Sequence, residues 1–153
     1  MAVKATSGIS HVQAYLAFQG RTEEALAFYE KTLGAQVLFK MRFTDSPEPC
    51  DPKMVPPGTE HKIMHCEFKI GETTLMATDG GCGELKESKF QGVTLVIESK
   101  TPEDAERIYD ELGLGGQVLM PLTKTFFAKK FGMLQDRFGV NWMVLCSEPV
   151  PGA

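Results

Sequence analysis

No stretch of the chain holds 18 consecutive apolar residues, so nothing in it reads as a membrane-spanning helix. An excess of charge of one sign is also missing. Lys and Arg number 16 against 20 Asp and Glu, for a net −4, which leaves no electrostatic footprint for nucleic acid or for an anionic membrane. Met1 to Ser10 contains one Lys and no apolar core, so it does not read as a signal peptide. Cysteine is sparse. Cys50, Cys66, Cys82 and Cys146 lie 16, 16 and 64 residues apart and form no CxxC. A chain of this size needs no disulfide staples, so the four read as reduced thiols in a cytoplasmic protein. The glycines of the stretch from Asp79 to Lys89 (DGGCGELKESK) have no Gly-Lys-Ser/Thr ending and open no helix, which excludes a phosphate cradle and leaves a linker.

What remains is an ordinary globular composition, 42% hydrophobic and 24% charged, in 153 residues. That length fits a single domain, residues 1–153, that buries roughly two-thirds of its unfolded surface. Within it the chain repeats itself. EALAFYEKTLGAQVL, from Glu24 to Leu38, is echoed by DAERIYDELGLGGQVL, from Asp104 to Leu119. Glu24/Asp104, Ala25/Ala105, Tyr29/Tyr109 and Glu30/Asp110 match at a constant offset of 80. Two long copies do not make a solenoid, which needs three or more shorter units. They imply two similar modules, residues 11–79 and 91–147, with any site expected between them.

Each copy has the same order of elements. His11 to Phe18 reads as a strand, and Thr22 is placed to cap a helix whose first turn carries Glu23 and Glu24. Ala25, Phe28, Tyr29 and Leu33 form its buried stripe, and Gly34 stops it in a left-handed cap. Gln36 to Phe43, His61 to Ile70 and Thr73 to Thr78 follow as strands, the last two joined by a Gly71-Glu72 hairpin turn. In the second copy Val93 to Ile97 is a strand, Thr101 caps, Pro102 takes the first helical position and Gly113 ends the helix. Strands over Gln117 to Met120, Phe126 to Gln135 and Asn141 to Cys146 complete it, the last two flanking an Asp136-Arg137-Phe138-Gly139 turn. The fold class is therefore α+β, with two tandem βαβββ modules and eight strands. Outside the repeat, Thr44 to Glu60 holds five of the nine prolines and is long for a connection, as lids and partner contacts are.

A helix covers one face of each sheet, so alternation assigns the other face to a ligand, a partner or the other module. Val93, Leu95 and Ile97 belong under the second helix, leaving Gly92, Thr94, Val96 and Glu98 open. Cys66, Phe68 and Ile70 turn inward while His65, Glu67 and Lys69 share the open side. Leu75 and Ala77 turn inward while Thr74, Met76 and Thr78 face out. His65 and Glu67 form an imidazole–carboxylate pair at strand spacing, about 7 Å apart at Cα. Such a pair suits acid/base work or two of the ligands a metal needs, and equally a solvated pair on a strand.

The paired modules, the AFYEKTLGA segment and the DRFGVNW turn resemble the vicinal-oxygen-chelate superfamily of glyoxalase I, bleomycin-resistance proteins and extradiol dioxygenases. YLAFQGRTEEALAFYEKTLGA, HCEFKIGETTLMATD, QGVTLVIES and TFFAKKFGMLQDRFGVNWM resemble its PhnB-like branch, also labelled 3-demethylubiquinone methyltransferase-like, from about His11 to Cys146. The resemblance implies an open, curved eight-stranded sheet cleft, a homodimer and, in the enzymes, a divalent metal. The positions of its metal ligands fall here on Gln13, Met76, Gly92 and Met143. Only the first could serve a hard cation, and thioethers suit soft Cu(I) instead. A methyl-donor site of the Rossmann kind is not expected either, because neither repeat helix follows a glycine-rich turn.

The reading that follows is a protein of this fold that binds a small, partly apolar molecule in the sheet cleft, without the usual metal site or another cofactor. Gln13, Tyr15, Met76, Thr78, Thr94, Trp142 and Met143 are expected to line the cleft. The alternative is a lyase, isomerase or dioxygenase-type enzyme in which His65 and Glu67 are catalytic, with or without a divalent metal. A third is a dimer whose cleft is vestigial. Expected partners are a small-molecule ligand and a second copy of the chain, with neither nucleic acid nor membrane.

Overall fold

Two four-stranded sheets, each carrying one long helix, are built from the two copies of the repeat. The computed structural model describes residues 8–49, 51, 55, 57–80 and 90–148. Cys50, Cys82 and most of the expected linker lie outside the described residues. In the first module β1 (Tyr15–Ala17), α1 (Thr22–Leu33), β2 (Gln36–Arg42), β3 (Ile63–Ile70) and β4 (Thr73–Thr78) give a sheet of order β1-β4-β3-β2. In the second, β5 (Leu95–Glu98), α2 (Pro102–Leu112), β6 (Gln117–Thr123), β7 (Ala128–Gln135) and β8 (Asn141–Ser147) give β5-β8-β7-β6. The first strand of each module runs parallel to its last, and the other pairings are antiparallel. Both sheets are open, in the glyoxalase-like α+β manner.

The expected elements are present with adjusted ends. Strand β1 spans three residues rather than eight, because its pairing with β4 is brief, and Ala14 adds only a carbonyl that accepts from the Met76 N–H at 3.0 Å. Val93 is 59% exposed and precedes β5, so it does not lie under α2 as its alternation predicts. Thr22 is the first residue of α1 and not its cap. The helix start is satisfied from a distance. The fully buried Asp79, just past β4, accepts from the N–H groups of Gly20 and Thr22, the Thr22 hydroxyl and the N–H of Ile63. Helix α2 is capped locally, as its sequence predicts, with Thr101 Oγ1 accepting from the Asp104 N–H at 3.1 Å and Pro102 opening the first turn.

The modules meet on their helical sides. Helix α1 packs on α2, and the β7–β8 turn reaches across to α1. Tyr29, fully buried, stacks on Phe68 of its own sheet and meets Trp142 of the other edge-on, with centroids 5.7 Å apart. Its hydroxyl donates to Asp136 at 2.5 Å. That carboxylate, itself 2% exposed, also accepts from Trp142 Nε1 and from the N–H groups of Phe138 and Val140. A buried carboxylate persists only when its acceptor sites are filled in this way. Around the rim, the Arg137 guanidinium lies over the Phe28 ring and that of Arg21 over Phe138, at 4.3 and 4.5 Å. The centre of the junction between the two modules is thus occupied by core.

Candidate functional site

Because the helices hold the modules together, the two sheet faces turned away from them are left uncovered by the described residues. On the first face the register aligns Tyr15, Met76, Glu67 and Phe39 in one row across β1, β4, β3 and β2. On the second it aligns Val96, Met143, Met133 and Met120 across β5, β8, β7 and β6. Paired residues share a face, so each row is one continuous strip. Tyr15 is 52% exposed and Phe39 44%, while Val96 and Met120 are 59% and 47% exposed. These apolar side chains are grouped on one face of each sheet and stay accessible among the described residues.

His65 stands between two rings. Tyr15 lies on one side, with centroids 5.8 Å apart, and Phe39 on the other at 6.1 Å. Glu67 shares the face, its Oε1 4.0 Å from His65 Nε2. That separation is too long for the hydrogen bond a general acid/base pair uses. The first face therefore brings together Tyr15, His65, Glu67 and Met76, as expected, and adds Phe39, whose strand the alternation argument had not assigned. Gln13 belongs to the same region, just before β1, where its Nε2 donates to the Thr74 carbonyl at 3.0 Å.

Thr94 and Met143 are half-buried and belong to the second module, Met143 on its open face. The structure does not bring them against Gln13 or Met76, because the two faces belong to different sheets joined through their helices. Two expected cleft residues stand elsewhere. Trp142 is 2% exposed, on the core side of β8, where its indole N–H is committed to Asp136. Alternation places its neighbours Asn141 and Met143 outward and Trp142 inward, and the turn before β8 concealed that phase. Thr78 is 7% exposed, its hydroxyl donating to the Met64 carbonyl at 2.6 Å and accepting from the Gly80 N–H. It closes the end of β4 and lines no cleft. Sequence reasoning missed Met120 and Met133 as well, although β7 alternates cleanly between half-buried Phe131, Met133 and Gln135 and buried Gly132 and Leu134.

A cavity of about 700 Å³ also lies at the junction of the modules, lined by Gln19, Arg21, Gln135, Arg137 and Phe138 among others. Its polar walls are largely committed to the fold. Arg137 Nε donates to the Leu114 carbonyl at 3.1 Å, and Gln135 Nε2 donates to the Gly139 carbonyl and to Asn141 Oδ1. The Gln19 amide oxygen is buried without a hydrogen-bond partner among the described residues. The junction cavity is bounded by side chains already engaged in the fold, and the apolar open faces are the candidate site.

The metal that the fold's enzymes use does not fit these residues. The corresponding positions offer the Gln13 amide, which is engaged with Thr74, the thioethers of Met76 and Met143, and Gly92, which has no side chain. Among the described residues no group of three or more His, Cys, Asp or Glu is placed to hold an ion. A hard divalent cation needs three or four such ligands. The thiol of Cys66 is fully buried beneath the first sheet, and burial raises it to about 11, which keeps it protonated and inert. Cys66 and Cys146 are free thiols. No helix among the described residues is long and apolar enough to cross a membrane.

Comparison with known proteins agrees with the fold and narrows the family. The family model for 3-demethylubiquinone-9 3-methyltransferase matches residues 10–145. Protein YjdN of Escherichia coli (strain K12) is 35% identical over 137 residues, covering 85% of this chain and 90% of its own. The crystal structure of protein PA1353 from Pseudomonas aeruginosa superposes with a TM-score of 0.78 at 37% identity, over 92% of this chain and 100% of that one. The PhnB protein from Bacillus cereus gives 0.73 at 26% identity, over 90% and 100%. A glyoxylase/bleomycin resistance protein/dioxygenase domain from Frankia sp. EAN1pec, 14% identical, gives 0.61 over 94% and 100%, a likeness of fold alone.

Proposed function

The chain belongs to the 3-demethylubiquinone-9 3-methyltransferase (PhnB-like) family, and within it we propose a protein that binds a small, partly apolar molecule without a metal. The observation that carries this reading is the composition of the two uncovered sheet faces. One presents Tyr15, Phe39, His65 and Met76, the other Val96, Met120, Met133 and Met143. Aromatic and thioether walls with a few convergent polar groups are what small-molecule clefts are made of. Neither face is a cleft by itself. We propose a homodimer in which a second copy completes the enclosure, the first module of one protomer set against the second module of its partner. Methyl transfer finds no support in the β1–α1 connection, where the Asp79 carboxylate occupies the helix start that a nucleotide-derived donor would need.

The test is a thermal-shift screen of small, partly apolar molecules, together with sedimentation of the free protein. A ligand at a hundredfold excess over its Kd stabilises the fold by about 2.7 kcal/mol, a readily seen rise in Tm. Met143→Glu places a charge on the open face and is expected to abolish that rise while leaving the ligand-free Tm within a degree or two, since Met143 is outside the core. A chelator is expected to leave the rise unchanged. A protein that sediments as a monomer and is stabilised by no compound class refutes the proposal.

A further inference from the structure

We propose that the ligand of the first sheet's open face is a small organic ammonium ion, an inference that rests on the binding function proposed above. Glu67 sits inside the cross-strand row, with Met76 paired to it on β4 and Phe39 on β2, and Tyr15 beyond Met76. Its side chain is 41% exposed, and among the described residues it makes no ion pair with Lys or Arg. Among the described residues His65 stands 4.0 Å from it, and Lys69 lies two residues along the same strand without pairing with it. Across the strands this carboxylate is therefore flanked by a ring and a thioether, and no Lys or Arg of the described residues pairs with it. An anionic ligand is repelled by it, and a neutral one gains at most a hydrogen bond from it, without the attraction between opposite charges.

An ammonium ion uses every part of the arrangement. Glu67 supplies the opposite charge. Tyr15 and Phe39, flanking His65 at 5.8 and 6.1 Å, offer π faces to alkyl groups bearing partial positive charge. Met76 adds a polarisable contact. Lys69, two residues beyond Glu67 on the same strand, repels a cation from that end. The favoured position is consequently at the His65 end of Glu67, against the exposed surface of the Tyr15–His65–Phe39 row, whose middle the imidazole fills. Alkyl-substituted ammonium fits better than a bare metal ion, because the rings bind its surface and no second carboxylate is required.

Two probes of equal shape separate charge from bulk: choline and its uncharged isostere 3,3-dimethylbutan-1-ol. Each is titrated into the intact protein while the side-chain NMR signals of Tyr15, His65 and Met76 are followed. Choline is expected to bind at least about tenfold more tightly than the alcohol, and Glu67→Gln, whose melting temperature confirms its fold, to bring the two within about twofold. Equal binding of the two probes, or a preference that survives Glu67→Gln, overturns the ammonium assignment and leaves the binding function standing. Failure of both to perturb these signals overturns the assignment too, and the wider ligand screen then decides the binding function separately.

Discussion

The two modules are near-copies in topology and opposites in detail. Tyr29 and Tyr109 occupy the same place in the repeat, yet Tyr29 sends its hydroxyl across the junction to Asp136, and Tyr109 keeps its own at home, donating to the Met120 carbonyl at 2.8 Å. Gly132 makes the second contact possible, since a Cβ there would stand 2.8 Å from the Tyr109 ring. The open faces diverge as well: the first carries an imidazole, a carboxylate and two rings, the second three methionines in a row. A duplicated scaffold thus keeps its backbone plan while one copy takes the polar chemistry and the other becomes an adaptable apolar wall. The junction between them is centred on one buried carboxylate, Asp136, bonded by Tyr29 of the first module and Trp142 of the second.

Removing that carboxylate breaks the comparison most severely. Asp136→Ala leaves the Tyr29 hydroxyl, the Trp142 indole N–H and two backbone N–H groups without their acceptor, and is expected to cost roughly 3–5 kcal/mol in urea unfolding. Tyr29 also reports on the junction spectroscopically. Burial, and then the neighbouring Asp136, push its phenol well above its usual range, so in the intact protein it stays protonated while an exposed tyrosine ionises. The two helix starts give the next contrast. Asp79→Ala removes one acceptor from four donors that join α1, the end of β4 and the start of β3, for about 2–4 kcal/mol. Thr101→Ala removes a local cap at an exposed helix end and costs about 1 kcal/mol. Equal losses in the two variants would show that the long-range cap does no more than the local one.

That contrast also marks where the sequence is legible. Thr101-Pro102 announces the start of α2 because cap and capped group lie three residues apart. Thr22 misled because its partner, Asp79, is 57 residues away and no local pattern records the pairing. Helices and most strands follow from periodicity, and so does the grouping of His65, Glu67 and Met76 on one face, since β3 and β4 pair without a register shift. Phe39 and Met120 were hidden for a different reason. Register shifts interrupt the pairing of β2 with β3 and of β6 with β7, so the phase of those edge strands cannot be counted from either end. Nor does the sequence say which sides of the modules meet. That depends on Tyr29, Asp136 and Trp142, one residue from the first copy and two from the second, each of which reads alone as ordinary core or turn.

The smallest effect tests how faithfully the copies repeat. Leu33-Gly34 and Leu112-Gly113 align as helix stops, but the glycines do different work. Gly34 has φ 66°, in the left-handed region, and its N–H donates back to the Glu30 carbonyl at 3.2 Å. Gly113 has φ −80°, a conformation open to any residue, and the left-handed turn is deferred to Gly115 at φ 78°. This deferral accommodates the extra residues before Gln117 in the second copy. Gly34→Ala forces a Cβ into a disfavoured backbone region where nothing crowds it, so its cost, about 1 kcal/mol, is conformational. At Gly113 the added methyl stands 3.0 Å from the Tyr109 carbonyl, a tight contact set against the entropy lost by the unfolded chain, and the net change is expected within about 0.5 kcal/mol. Chemical unfolding of the two variants side by side measures the difference. Matching losses would mean that Gly113 is held to its helix stop as firmly as Gly34, and that the copies are closer than their dihedral angles indicate.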